Sequence, residues 1–117
     1  MVKEQKYFTS GLEAAIASRA ETIGLVRDYN DLAHFAGYLK VGNEDGSKEL
    51  YLIAVKPVGV NRMVTLATKS DNVIKQINEL MEQIGNEPRE TWAISFSETK
   101  TRKGNNVIIV NASTVDA

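Results

Sequence analysis

The chain has 117 residues, 43% hydrophobic and 25% charged, with a formal net charge of −1 at pH 7, which is the composition of one soluble domain with a modest single core. It has no cysteine, which excludes disulfides, thiolate metal sites and cysteine nucleophiles and suits a reducing cytoplasm. The near-neutral balance argues against a protein that holds duplex DNA by charge alone, although a nucleic-acid face depends on where the charges sit.

Residues 1–9, MVKEQKYFT, lack the apolar core of a signal peptide and read as a flexible lead-in. No later run is long and apolar enough to span a membrane, so a cytoplasmic protein with no membrane partner is expected. Ser10 to Thr22 reads as a helix. Thr9 or Ser10 can cap it, Glu13 falls three after Ser10 as in a capping box, and Leu12, Ala15, Ile16, Arg19 and Ile23 lie roughly along one side. Ile23-Gly24-Leu25-Val26 fits a short strand or the helix end, and Asp28 to Asp31 is turn-like.

From Ala33 the period is two. Phe35, Gly37, Leu39 and Val41 fall on one side of a strand, with Ala36, Tyr38 and Lys40 on the other. Gly37 inside the strand suggests a bulge or bend. NEDGS is a turn centred on Asp45-Gly46, and KELYLIAVKPVG forms the returning arm. Arg62 to Thr68 is a third short strand. A helix follows, capped by Ser70 or Asp71 and carrying the stripe Val73, Ile74, Ile77, Leu80, Met81 and Ile84; Gly85-Asn86 and Pro88 end it. Thr91 to Ser113 is a long β-hairpin. Trp92, Ile94 and Phe96 alternate with small residues on the first arm, and Val107 to Val110 is a β-branched run on the second. Its tip, SETKTRKGNN, gathers Lys100, Arg102 and Lys103 against the single acid Glu98. The tail, residues 114–117, is expected to be loose.

A helix between the third and fourth of five strands is the connectivity of the OB-fold, a five-stranded Greek-key barrel. The expected fold class is therefore mainly β with flanking helices: one OB-fold-like domain over 1–117, with an extra N-terminal helix. An α+β sheet packed on two helices gives a similar string. On the barrel reading, GNEDGSK and SETKTRKGNN are the two long loops with which OB-folds grip oligonucleotides or oligosaccharides.

The chain resembles the small single-stranded DNA-binding proteins of phages infecting lactococci and related bacteria. The likeness rests on YFTSGLEAAIASRAE, AGYLKVGNEDGSKELYLIAV and WAISFSETKTRKGNNVIIV, and spans nearly the whole chain. It implies an OB-fold, binding of single-stranded DNA without strong sequence preference, and a role in phage DNA replication or recombination in the host cytoplasm. STVDA has one acid and no apolar tip, unlike the long acidic tail of many bacterial single-stranded DNA-binding proteins. Recruitment of phage or host recombination proteins through the C-terminus is therefore doubtful. A homodimer through the N-terminal segment or an unpaired strand edge is left open.

The charge distribution points the same way. Lys40, Lys48, Lys56, Arg62, Lys69, Lys100, Arg102 and Lys103 lie on strands and loops, whereas the second helix and its exit carry Asp71, Glu79, Glu82, Glu87 and Glu90 against Lys75 and Arg89. A basic groove attracts phosphates, and stacking on aromatics adds about 1–3 kcal/mol per base. Candidate binding residues are Tyr38, Lys40, Lys48, Tyr51, Lys56, Arg62, Trp92, Lys100, Arg102 and Lys103; Phe96 is also a stacking candidate, with core burial ahead. Tyr38 is the aromatic expected at the surface, and Trp92 divides evenly between core and surface. DNA and RNA are not separated by these features.

Catalysis is not expected. His34 has no second histidine or cysteine with which to build a metal site, and no cofactor motif is present. Asp28, Asp31 and His34 lack a marked nucleophile. The reading from a different class is a small interaction, inhibitor or assembly protein, whose mark would be an exposed apolar patch.

Overall fold

The computed structural model describes residues 2–43 and 45–115. The chain is mainly β, with two α-helices among the described residues and a curled, half-barrel sheet. In order come β1 (Val2–Lys6), α1 (Gly11–Arg19), β2 (Thr22–Leu25), β3 (Ala33–Val41), β4 (Leu50–Pro57), β5 (Val64–Thr68), α2 (Asp71–Ile84), β6 (Trp92–Lys100) and β7 (Asn106–Thr114). Seven strands form the sheet where five were expected. Its order is β2-β5-β4-β3-β6-β7, with β1 also paired to β3. The 1–9 lead-in, expected to be loose, supplies the extra strand β1, which runs antiparallel to the second half of β3. The ambiguous segment before Val26 is β2, parallel to β5. Of the tail, Thr114 ends β7 and the Val115 N–H donates to the Thr91 carbonyl, 3.0 Å away. Asp116 and Ala117 lie outside the described residues.

β3 is the shared strand. Its whole length pairs with β4. On the other edge its second half pairs with β1, and Ala33 at its start pairs with Ile94 of β6. The strand bulges between Phe35 and Gly37 against β4. A bulge inserts one unpaired residue and reverses the faces beyond it. Phe35 and Tyr38 therefore fall in one buried cluster, and Ala36 and Leu39 in another. The sequence had placed Tyr38 on the face opposite Phe35. Gly37 is required here by contact: a Cβ would lie 2.6 Å from the Lys6 carbonyl and 2.9 Å from the Phe8 ring.

The inner cluster joins Phe35, Tyr38, Ile53, Val55, Val64 and Leu66 to Val73, Ile74, Ile77 and Met81 of α2, and to Trp92, Ile94 and Phe96 of β6. The outer cluster joins Ala36, Leu39, Ala54 and Met63 to Ala17 of α1. β3 and β4 thus bury side chains on both faces. Both helices start on caps read from the sequence. Ser10 accepts from the Glu13 N–H at 3.1 Å, and Ser70 from the Val73 N–H at 3.3 Å.

Where β3 changes partner, neither β1 nor β6 reaches its backbone. Arg89, just before β6, fills the gap. Its guanidinium donates to the carbonyls of Phe35 (3.3 Å), Ala36 (2.9 Å) and Tyr7 (2.8 Å), and lies 5.7 Å from the centre of the Phe35 ring. His34 holds the same turn from the other side. Its Nδ1 is 3.0 Å from the Arg89 carbonyl and 2.8 Å from that of Trp92. Both oxygens can only accept, so Nδ1 carries the hydrogen. Burial pulls the Arg89 guanidinium below its ordinary value, and Glu13 partly offsets this.

Removing this clamp orphans three carbonyls at the seam of the sheet. Arg89→Ala is expected to lower stability by about 3 kcal/mol in urea unfolding. Arg89→Lys should recover only part of it, because an ammonium cannot reproduce the planar fork. A variant as stable as the parent would show that water serves these carbonyls equally well.

Candidate nucleic-acid interface

Apart from Trp92, which is buried in the inner cluster, the predicted binding residues fall in three separate places. The first is the tip of the β6–β7 hairpin. Nine residue pairs run from Trp92↔Thr114 to Lys100↔Asn106 without a register break. Residues 97–106 are exposed, so the arm extends beyond the core by about four residues per strand, roughly 13 Å. The Thr101 N–H donates to the Asn105 carbonyl at 2.8 Å and the Gly104 N–H to the Thr101 carbonyl at 2.9 Å. Gly104 takes φ +82°, which a side chain would resist. Lys100, Arg102 and Lys103 are exposed, and no ion pair engages them among the described residues. A defined turn thus presents these three cations at the end of a two-stranded arm.

The second place is the end of the sheet where β1, β3 and β4 lie side by side. Tyr7, Tyr38 and Tyr51 form an edge-to-face row with ring centres 5.8 and 5.9 Å apart. Lys6 lies 5.3 Å from the Tyr7 ring centre and Lys40 5.8 Å from that of Tyr51. Tyr38 is 3% exposed, contrary to its expected surface position, and the bulge before it is the reason. Its hydroxyl donates to Asn78 Oδ1 at 3.2 Å, which also accepts from Tyr7 at 2.7 Å. Tyr51 is half-buried and donates to Asp71 at 3.4 Å. Glu49 pairs with Lys3 at 2.7 Å and with Lys40 at 3.5 Å, and the Lys3 hydrogen bond leads in holding its carboxyl below the usual range. Lys48 projects nearby, in the loop whose turn Asp45 and Gly46 form; Glu44 of that loop lies outside the described residues.

The third place is the outer face. Lys56 is the cross-strand neighbour of His34 and lines a cleft of about 540 Å³ with Glu13, Glu87 and Glu90. Three carboxylates around it make a poor phosphate groove. Arg62 is paired with Glu21 at 2.7 Å. Trp92 and Phe96 are 5% and 7% exposed, members of the inner cluster. The Trp92 indole N–H finds no acceptor among the described residues. Neither ring offers a face to a base.

Five contributors were not singled out from sequence. Lys3, Lys6 and Tyr7 sit in the lead-in that reads as loose. Asn78 reads as a helix surface residue, yet its spacing from Ile74 and Met81 puts it on the buried stripe. Arg89 reads as one charge in an acidic helix exit. Among the described residues no group of three or more His, Asp or Glu could hold a metal ion, and no helix is long and apolar enough to cross a membrane. Neither a protein-family profile, nor a curated protein, nor a solved structure matches the chain.

Two measurements check this geometry. Trp92 should emit as a buried indole and resist iodide quenching, with or without an oligonucleotide; strong quenching would return it to the surface. Burial leads in raising the hydroxyl pKa values of Tyr29, Tyr38 and Tyr51 above the ordinary 10.0. The folded chain then holds these protons more tightly than the unfolded chain. Their stabilising effect is full below pH 10.0 and is lost as pH rises through the raised values. Ultraviolet titration should show late tyrosine ionisation coupled to alkaline unfolding.

Proposed function

We propose that this chain binds single-stranded DNA without sequence preference, through phosphate contacts from cations at two ends of an OB-type sheet. The observation that carries the reading is the hairpin tip: Lys100, Arg102 and Lys103, exposed and without an ion pair among the described residues, on a nine-pair arm in a chain of net charge −1. Strand pairing supports it. The β3–β4–β5 meander, the intervening α2, and the return of β6 to the edge of β3 follow OB-fold connectivity. The departure is at closure. β5 pairs with β2, and the open edge of β7 is met by α2. Lys3, Lys6, Lys40 and Lys48 form the second contact, with Tyr51 and Tyr7 as the half-buried aromatics beside them. On this reading stacking is minor and charge dominates, so affinity falls steeply with salt. The working context is phage DNA replication or recombination in the host cytoplasm.

A second reading has its own observation. Leu12 is 73% exposed, Ile16 48% and Val60 51%, an apolar surface suited to a non-enzymatic interaction or assembly protein.

Anisotropy of a labelled oligo(dT) separates the two. The parent protein should bind it in low salt and bind duplex weakly. Reversing Lys100, Arg102 and Lys103 to Glu should weaken binding at least about tenfold and reduce the log–log salt slope by roughly 2, at about 0.7 per lost phosphate contact. Circular dichroism should be unchanged, since residues 97–106 lie outside the core. An unchanged slope removes the tip from the site. Failure of the parent to bind any single strand favours the interaction protein, and preference for oligo(rU) moves the ligand to RNA.

A further inference from the structure

At the end of the sheet where β1, β3 and β4 meet, one carboxylate bridges two cations. Glu49 Oε1 accepts from Lys3 Nζ at 2.7 Å, and Oε2 lies 3.5 Å from Lys40 Nζ. The Lys3, Lys40 and Glu49 side chains are 23%, 30% and 33% exposed, so solvent reaches all three. Glu4, opposite Lys40 in the register of β1 and β3, is exposed and makes no ion pair among the described residues. The bridge is therefore the work of Glu49.

The fold has other means of holding these segments. β1 is tied to β3 by backbone pairing from Val2↔Val41 to Lys6↔Tyr38. The loop before Glu49 closes on itself: the Asn43 N–H donates to the Ser47 carbonyl at 3.1 Å, the Gly46 N–H to the Asn43 carbonyl at 3.0 Å, and the Ser47 N–H to the Asp45 carboxylate at 2.9 Å. The stem of Glu49 packs on Gly42, where a Cβ would lie 2.7 Å from the Glu49 Cγ. Ion pairs this accessible to water contribute little to stability. The carboxylate can thus leave the two ammonium groups without loosening β1 or the loop. What it does is cancel charge where the cations gather. Glu49 leads in raising the Lys40 ammonium above its ordinary value, as the Lys3 hydrogen bond leads in lowering the Glu49 carboxyl. A phosphodiester carries the same single negative charge on two free oxygens, and lysine ammonium groups bind carboxylate and phosphate alike.

We propose that Glu49 holds the place of a DNA phosphate: its carboxylate closes the Lys3–Lys40 pair in the free chain, and a single strand binds there by displacing it. Glu49 is then a built-in competitor that weakens the second contact. This inference rests on the single-strand reading above.

Two measurements with oligo(dT) test it. Carboxyl-detected NMR follows the titration of Glu49 in the parent, free and saturated with the strand. With Lys3 and Lys40 given over to phosphate, Glu49 should titrate at higher pH in the complex than in the free chain. This arm needs no variant to fold. In the second, Glu49→Gln removes the competing charge and keeps the shape. It should tighten binding about threefold or more. Glu79→Gln, exposed on α2, makes the same change in net charge and should alter binding by less than about twofold. Lys40→Ala should cost more affinity in the Glu49→Gln background than in the parent, because there Lys40 has no carboxylate to leave. A Glu49 carboxyl that titrates at the same pH with and without the strand, or a Glu49→Gln variant that binds no better than Glu79→Gln, overturns the inference, while binding by the parent leaves the single-strand reading standing. A parent that binds no oligo(dT) overturns both.

Discussion

A strand that changes partners halfway leaves backbone groups that neither partner can reach, and this chain answers the problem with one guanidinium. Among the described residues β3 alone pairs with β1, β4 and β6, so the curl of the sheet passes through it. At the changeover Arg89 binds carbonyls from β3 and from the end of the lead-in, while His34 fixes the turn that carries Arg89. Buried carbonyls without donors are costly. The clamp therefore sets where β6 begins, and through it the direction of the hairpin arm. A cation at the exit of α2 thus supports a tip whose own cations are nine paired positions away.

The same architecture decides which chemistry reaches solvent. The curled sheet and α2 bury half of the eight aromatic rings, Phe35, Tyr38, Trp92 and Phe96. What remains outside is mainly charge: the hairpin tip at one end, and the lysines beside Tyr7 and Tyr51 at the other. Under the proposed function, such a surface would hold a flexible polyanion by its backbone. It has few means of reading bases, which fits a ligand recognised without regard to sequence. Gln76 belongs to the same economy of edges, since its carboxamide stands in for a neighbouring strand where the sheet would otherwise lie open.

Most elements were legible because local signals agreed. Ser10 and Ser70 cap as their spacing suggests, the apolar stripe of α2 faces the core, and the alternation of Trp92, Ile94 and Phe96 fixes the hairpin's inner face. The errors have specific causes. One bulged residue before Gly37 reversed the phase of β3, which moved Tyr38 from the expected surface to the interior. Paired with β3 but apolar at neither face, β1 has no period to betray it: its stability comes from tertiary hydrogen bonds. The burial of Trp92 depends on Phe35, 6.4 Å away by ring centres, and on α2, neither adjacent in sequence. The site was legible as charge and not as position. Lys40, Arg62 and Lys56 look alike in sequence, yet in the fold Lys40 and Arg62 are ion-paired and Lys56 faces carboxylates.

The most direct measurement is a map of backbone amide shifts in the labelled protein as oligo(dT) is added. Changes are expected at residues 97–106 and around Lys3 to Tyr7, Lys40 and Lys48 to Tyr51, with Trp92 and Phe96 little affected. Changes centred on Leu12, Ile16 and Val60, or none at any concentration that saturates a labelled strand, would contradict the proposed function.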